Sequence, residues 1–225
     1  MIAAPLLLLA ASLEEPKEAL EKLMNHYHSL SSYAATIECH DASGLFPGNY
    51  IEGIRWLRPS RFEITLLKKS DYAAKEGSPG LAASEFYCDG KSVVVVDANG
   101  SRATRSFEVG PNTMPGWEVE GGLVLGFLLD SLGGKFLLDP PKSAKLTYSW
   151  GTKPEWEGQK VREICLTIGF DNDSRTLPIS LFLDEQGIAL VGQEYSEGGR
   201  RHWMKYSAAK ENPTLPSTLG DPPKL

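Results

Sequence analysis

Residues 53–64, GIRWLRPSRFEI, predict a strand, a corner and a second strand. Proline donates no backbone hydrogen bond and forces the preceding residue into an extended conformation, so Arg58-Pro59 must lie where the chain bends or at a sheet edge. Further along, residues 87–97, YCDGKSVVVVD, place Asp89-Gly90 between apolar residues, which is a strong local signal for a β-hairpin. Together the two stretches predict a curved antiparallel sheet with Arg58 at its rim.

The chain has the composition of one ordinary globular domain, with 225 residues of which 41% are hydrophobic and 23% charged. Sandwiches and barrels often reach this length without dividing. We therefore predict a single domain over residues 13–210 and a Pro-rich tail over residues 211–225. The net charge is −6 and the basic residues are scattered, which argues against nucleic-acid binding.

Residues 1–12, MIAAPLLLLAAS, form an apolar run that is much shorter than the roughly 20 residues of a membrane-spanning helix. The length suits the hydrophobic part of a signal peptide, and residues 9–12 offer small side chains for cleavage, although no positive charge precedes the run. We predict a signal-peptide remnant. The alternative is an apolar extension of the first helix.

The first half of the chain has the pattern of a helix followed by a meander of strands. Residues 17–30 carry apolar side chains at helical spacing, with glutamates at the N-terminal turn. Alternating apolar segments follow, separated by Gly, Pro and Asp clusters. The predicted strands are 33–40, 50–57, 61–69, 85–88, 92–97 and 102–109.

The second half predicts another meander after an interruption. Residues 121–132, GGLVLGFLLDSL, are apolar and flanked by glycine pairs; a short helix fits the spacing at least as well as a strand. The strands predicted after it are 144–150, 157–170, 177–184, 188–196 and 200–207. The tail after residue 212 is rich in proline and is predicted to be an extended arm or disordered.

About ten strands and two helices predict an α+β fold, mainly antiparallel β, with a strongly curved sheet. The concave face of such a sheet must be filled by side chains, a helix or an apolar ligand, because exposed apolar surface of that extent is not tolerated. Five tryptophans are spread along the chain. They are either core residues or the lining of a ligand cavity.

No arrangement of residues predicts catalysis, a metal or a cofactor. His26 and His28 are two residues apart on the predicted helix and point in different directions, which is unsuited to joint metal ligation. Cys39-His40-Asp41 has the residue types of a catalytic relay, but neighbours on a strand project to opposite faces. The three cysteines lack the paired spacing of zinc sites.

The order of these elements resembles the LolA/LolB superfamily of bacterial lipoprotein carriers. The resemblance covers residues 16 to about 208 and lies in the N-terminal helix, in LSSYAATI at residues 30–37, in the stretch that holds Arg58-Pro59, and in YCDGK at residues 87–91. The Arg-Pro-x-x-Phe and Asp-Gly-Lys motifs in this order are moderately specific.

The resemblance implies a half-open β-barrel whose concave apolar face is covered by the N-terminal helix and a mid-chain helix, and which receives acyl chains in the periplasm. Arg58 matches the arginine that precedes the proline in the carriers, where it is a functional position. The alternative role for Arg58 is to anchor the corner by hydrogen bonds. The expected ligand-binding residues are Arg58, Trp56, Phe62, Leu123, Leu125, Phe127 and Leu128.

The function expected from this resemblance is non-enzymatic. The chain would be a bacterial periplasmic or envelope protein that binds or carries lipoproteins or other acylated ligands as a monomer. Its partners would be the acylated lipoprotein or lipid and a membrane-bound donor or acceptor protein, with no nucleic acid and no cofactor. The alternative is an envelope sensor or protein-interaction module with the same fold.

Overall fold

The computed structural model describes residues 14–42, 48–70, 83–97, 101–106, 128–129, 137–140, 142–170, 173–197 and 199–222. These residues contain the helix α1 (Pro16–Ser29) and thirteen strands. The strands are β1 (Ser32–Ala42), β2 (Gly48–Leu57), β3 (Arg61–Ser70), β4 (Ala83–Asp89), β5 (Ser92–Asp97), β6 (Arg102–Ser106), β7 (Ala144–Trp150), β8 (Glu155–Trp156), β9 (Gln159–Lys160), β10 (Arg162–Phe170), β11 (Asp173–Leu183), β12 (Leu190–Glu197) and β13 (Arg200–Glu211).

Eleven of the strands form one antiparallel sheet in the order β6-β5-β4-β3-β2-β1-β13-β12-β11-β10-β7. The two predicted meanders are therefore halves of a single sheet, joined where β1 pairs with β13. The mainly antiparallel α+β fold is confirmed. The sheet is not closed into a barrel, because among the described residues β6 and β7 are its two edges.

Helix α1 begins and ends close to the predicted boundaries. Pro16 occupies the first turn, where its missing N–H costs nothing, and Glu15 and Glu18 form a capping box. Leu20, Leu23 and Tyr27 are among the residues that the helix buries against the sheet. The amphipathic pattern thus corresponds to a helix that packs one apolar face against the sheet.

The predicted Asp-Gly hairpin is present between β4 and β5. One carboxylate oxygen of Asp89 accepts hydrogen bonds from the backbone N–H groups of Lys91 and Ser92, at 2.8 and 2.9 Å. Gly90 has a φ of +92°, a conformation that L side chains rarely adopt. The turn chemistry read from the sequence therefore sets the register of this hairpin.

The prediction of one continuous strand over residues 157–170 is wrong. The chain instead forms the small hairpin β8–β9 and then enters the main sheet as β10. The reason is an aromatic contact on the far side of the sheet: the ring of Trp156 stacks on Phe182 with centroids 4.5 Å apart. Gly192 makes room for it, since a Cβ there would come within 2.2 Å of the Trp156 ring.

The predicted mid-chain helix over residues 121–132 is not shown, because most of that segment lies outside the described residues. Within it, Leu128 and Leu129 have helical backbone and are fully buried. Leu137, further along the same connection between β6 and β7, is also buried. The connection therefore contributes apolar side chains to the core of the sheet.

The tail is not disordered over residues 212–222, which corrects one of the two predictions made for it. Leu219 is fully buried, and its carbonyl accepts a hydrogen bond from Nε of Arg61 at 2.6 Å. Arg61 also forms an ion pair with Asp221. The tail thus returns from β13 to the start of β3.

Gly220 allows this docking, and it offers a matched test. A Cβ at Gly220 would lie 1.8 Å from the carbonyl oxygen of Cys88, whereas a Cβ at Gly199 would meet no described atom within 4 Å. Both glycines have positive φ, 83° and 78°. Gly199→Ala should therefore cost about 1 kcal/mol of unfolding free energy for the backbone conformation alone, and Gly220→Ala should cost about 2 kcal/mol or more in urea titrations. Equal losses would mean that the tail contact does not contribute to stability.

Candidate functional site

The candidate site is the inner face of the sheet, which we define as the face packed against α1. Strand alternation builds it. In β1, Tyr33, Ala35, Ile37 and Cys39 point inward and are all buried. The apolar inward residues of β1–β5 and β10–β13 form one cluster, which also contains Leu128, Leu129 and Leu137 and against which the apolar residues of β7 pack. One continuous apolar surface therefore extends across both halves of the sheet.

Arg58 lies at the corner between β2 and β3 and holds the C-terminal end of α1. Its Nε donates a hydrogen bond to the carbonyl of Leu30 at 2.9 Å, and one terminal nitrogen donates to the carbonyl of His28 at 3.0 Å. Its guanidinium carbon stands 4.8 Å from the ring centroid of Trp56. A cation here satisfies carbonyls that the helix leaves unbonded and complements the helix dipole. The anchoring role that the sequence left open for Arg58 is present.

The structure brings several of the predicted site residues together at this corner. Trp56 and Phe62 are direct partners across β2 and β3, and both are buried in the inner face beside Arg58. Leu128 is in the same apolar cluster. The other three predicted residues, Leu123, Leu125 and Phe127, lie outside the described residues.

A polar strip, which we define as Glu52, Tyr206 and Gln193, crosses the middle of the inner face. Glu52 and Tyr206 are the cross-strand partners of Ile37 on its two sides, in β2 and β13. Gln193 in β12 is fully buried and donates a hydrogen bond to the sulfur of Met204 at 2.8 Å. The polar groups thus concentrate on the central strands of the sheet.

Glu52 and Tyr206 carry buried polar groups. Glu52 is only 1% exposed, and neither its carboxyl oxygens nor the Tyr206 hydroxyl has a hydrogen-bond partner among the described residues. Burial raises the pKa of Glu52 to about 8 and also raises the pKa of Tyr206. At neutral pH the Glu52 carboxyl is therefore mainly protonated, so that it can both donate and accept a hydrogen bond.

Sequence reasoning missed Glu52, although a signal for it exists. In β2 the inward positions are Tyr50, Glu52, Ile54 and Trp56, so a glutamate interrupts an otherwise apolar or aromatic series. Alternation alone would have placed its carboxyl inside the sheet.

Neither a metal-ligand cluster nor a membrane-spanning helix is present among the described residues. They contain no group of three His, Cys, Asp or Glu side chains placed to hold a metal ion. Within the same residues, no helix combines the length and apolar character needed to cross a bilayer. Cys39 and Cys88 are buried and Cys165 is half-buried, and no disulfide joins these three cysteines.

The anchoring role of Arg58 predicts a loss of stability when it is replaced. Arg58→Leu should lower the free energy of unfolding by about 1–2 kcal/mol, since two hydrogen bonds to α1 carbonyls disappear. Arg58→Lys should lose less because it keeps the charge at the helix end. The control is Lys22→Leu on α1 itself, where an exposed lysine loses its ion pair with Glu14; it should cost under about 1 kcal/mol. Urea unfolding followed by circular dichroism measures the free energy of unfolding of all three variants. An Arg58→Leu variant as stable as wild type would contradict the anchoring role.

Burial of Glu52 predicts a pH dependence of stability with a defined sign. The pKa of Glu52 in the folded state, about 8, lies above the ordinary glutamate value of 4.5, so the folded state keeps a proton that the unfolded state releases. The protonated Glu52 carboxyl therefore contributes to the free energy of unfolding. This contribution is complete below the unfolded pKa and is lost as the pH rises towards 8. Glu52→Gln cannot titrate, so its stability relative to wild type should improve by up to about 4 kcal/mol between pH 5 and pH 8.

Chemical denaturation at several pH values measures this difference. The control is Glu38→Gln, because Glu38 lies on β1 with its side chain 45% exposed. Parallel stability curves for wild type and Glu52→Gln would show that Glu52 is not held protonated.

No family model and no curated protein matches the sequence. Solved structures align with it at low identity. The lipoprotein LppX of Mycobacterium tuberculosis is 11% identical with a TM-score of 0.46, over 90% of this chain and 97% of that one. LprF of Mycobacterium bovis is 13% identical with a TM-score of 0.47, over 89% and 94% of the two chains. The LolA superfamily protein NE2245 of Nitrosomonas europaea is 10% identical with a TM-score of 0.41, over 92% and 98%. With TM-scores below 0.5, these alignments support no inference about ligand or partner.

Proposed function

We propose that the protein is a non-enzymatic binder or carrier of acylated ligands, which lie between the inner face and the segments that cover it. The support is the extent of the apolar inner face. Eleven strands at about 4.8 Å spacing measure about 48 Å across the sheet. Helix α1 has 14 residues and is about 21 Å long, so it covers only part of that width.

The rest of the described cover comes from a separate piece of chain. Leu128, Leu129 and Leu137 pack into the apolar cluster, and the hydroxyl of Tyr148 donates a hydrogen bond to the carbonyl of Leu137. The cover therefore consists of two parts that are held to the sheet by side chains, outside its β-ladders. Such parts can separate from the sheet without breaking its backbone pairing, which an acyl chain needs in order to enter.

Arg58, Trp56 and Phe62 are the proposed contact points at the corner. Arg58 ties the end of α1 to the sheet directly above the Trp56 ring. Movement of α1 away from the corner would expose both aromatic rings to a ligand. In this proposal Arg58 controls access, and Leu123, Leu125, Phe127 and Leu128 contact the acyl chain from the connection between β6 and β7.

The location and partners belong to the same proposal. An acyl-chain carrier with the sequence features described above fits an exported protein of the bacterial cell envelope. It would take its ligand, a lipoprotein or another lipid, from one membrane-bound protein and pass it to another.

A pair of adjacent alanines in β1 tests where the ligand binds. Ala35 points to the inner face opposite Ile54, whereas Ala34 is its neighbour on the other face. Ala35→Leu should fill space at the inner face and weaken binding of cis-parinaric acid, a fluorescent fatty acid, by about tenfold. Ala34→Leu should leave the affinity unchanged. Thermal unfolding of both variants shows whether they are folded.

Two results would contradict the proposed function. The first is no binding of cis-parinaric acid to the wild-type chain, together with no lipid in native mass spectra of protein purified from its host. The second is equal weakening by Ala34→Leu and Ala35→Leu, which would place the bound fatty acid elsewhere.

A further inference from the structure

The polar strip is the feature of the inner face that an acyl chain alone does not explain. An acyl chain offers no hydrogen bond, yet Glu52 and Tyr206 present a carboxyl and a hydroxyl group there with no partner among the described residues. Leaving a buried polar group unpaired costs about 1–3 kcal/mol, and an apolar residue of the same shape would avoid this cost. A ligand that supplies the missing hydrogen bonds accounts for both groups.

The distance between Glu52 and Tyr206 indicates whether the two side chains contact the same point of a ligand. Glu52 and Tyr206 flank Ile37 in the neighbouring strands β2 and β13. Two strand spacings separate their backbones, roughly 10 Å, so the two side chains serve two different points of one ligand. Apolar inner-face residues lie on both sides of the strip, with Ile64 and Phe86 on one side and Ile164 and Leu181 on the other.

We propose that Glu52 and Tyr206 bind the uncharged, oxygen-bearing head of an acylated polyol, such as a glycerol ester, whose hydroxyl and ester oxygens bridge the two side chains. This inference rests on the proposed function and specifies the ligand class for the same face. The acyl chains would lie against the apolar strands beside the polar strip. The protein would thus select neutral acyl esters over free fatty acids.

The surroundings of Glu52 favour an uncharged head. Its cross-strand neighbour Ile37 and the next inward residue of β2, Ile54, are both fully buried and apolar. A charged head would have to lose its hydration at this position, which costs several kcal/mol unless it is well paired. A protonated carboxyl donates to an ester carbonyl and accepts from a hydroxyl, so a polyol ester matches both of its functions.

Competition binding tests the inference on the full chain. The probes are 1-monopalmitoylglycerol, palmitate and hexadecylamine, each displacing cis-parinaric acid at neutral pH. Wild type should bind 1-monopalmitoylglycerol about tenfold more tightly than palmitate. Glu52→Leu and Tyr206→Phe should each remove most of that preference while changing palmitate affinity less than about threefold. Glu52→Gln should keep it, because an amide also donates and accepts.

The matched controls remove the same chemical groups outside the strip. Glu38→Gln changes a partly exposed carboxyl of β1, and Tyr87→Phe removes a hydroxyl that bonds to Glu85. Both controls should retain the preference for 1-monopalmitoylglycerol.

The other outcomes would overturn either the assignment of the head group or the proposed function. Equal affinities for 1-monopalmitoylglycerol and palmitate, or a preference that survives Glu52→Leu and Tyr206→Phe, would overturn the assignment of the head group and leave acyl binding intact. A preference for hexadecylamine would show that Glu52 receives a cation instead. Failure of every probe, including cis-parinaric acid, would overturn the proposed function itself.

Discussion

The pairing of β1 with β13 is the constraint on which the rest of the structure depends. It joins the first strand of the chain to the last, from Tyr33 opposite Glu211 to His40 opposite Trp203, and so merges two meanders into one sheet. It also brings together the segments that flank those strands. The side-chain oxygen of Asn212 accepts a hydrogen bond from the backbone N–H of Ser31 at 2.7 Å. The helix before β1 and the tail after β13 therefore lie at the same end of the sheet.

Features determined by near neighbours could be predicted from the sequence. The helix, the Asp89-Gly90 hairpin and most strands follow from periodicity and turn chemistry, which act over a few residues. The β1–β13 pairing could not be predicted, because partners far apart in sequence leave no local signal. The hairpin β8–β9 and the docked tail escaped prediction for the same reason. Each depends on contacts with residues far away in the sequence, such as Trp156 on Phe182 and Gly220 against Cys88.

In the candidate site, too, the local features could be predicted from the sequence and the long-range contacts could not. Proline chemistry placed Arg58 at a corner, and the corner is there; its partners, the carbonyls at the end of α1, became visible only in three dimensions. Trp56 and Phe62 were expected near Arg58 from the resemblance alone, and both are buried at that corner. Glu52 could have been found from alternation, since it interrupts the inward series of β2. Alternation does not predict whether a buried carboxyl has a hydrogen-bond partner, because that depends on all the strands around it.

A buried carboxyl with no hydrogen-bond partner among the described residues is a cost that folding alone does not require. Local choices in natural sequences usually agree with the global fold, and departures from that agreement concentrate at functional sites. In β2 the departure is confined to one position, because Tyr50, Ile54 and Trp56 on the same side are aromatic or apolar. The large apolar cluster around them offsets that cost for the sheet as a whole. A purely hydrocarbon ligand would give Glu52 and Tyr206 no hydrogen bond. Apolar strands on both sides of a polar centre would instead match an amphiphile that places its polar group in the middle of the inner face.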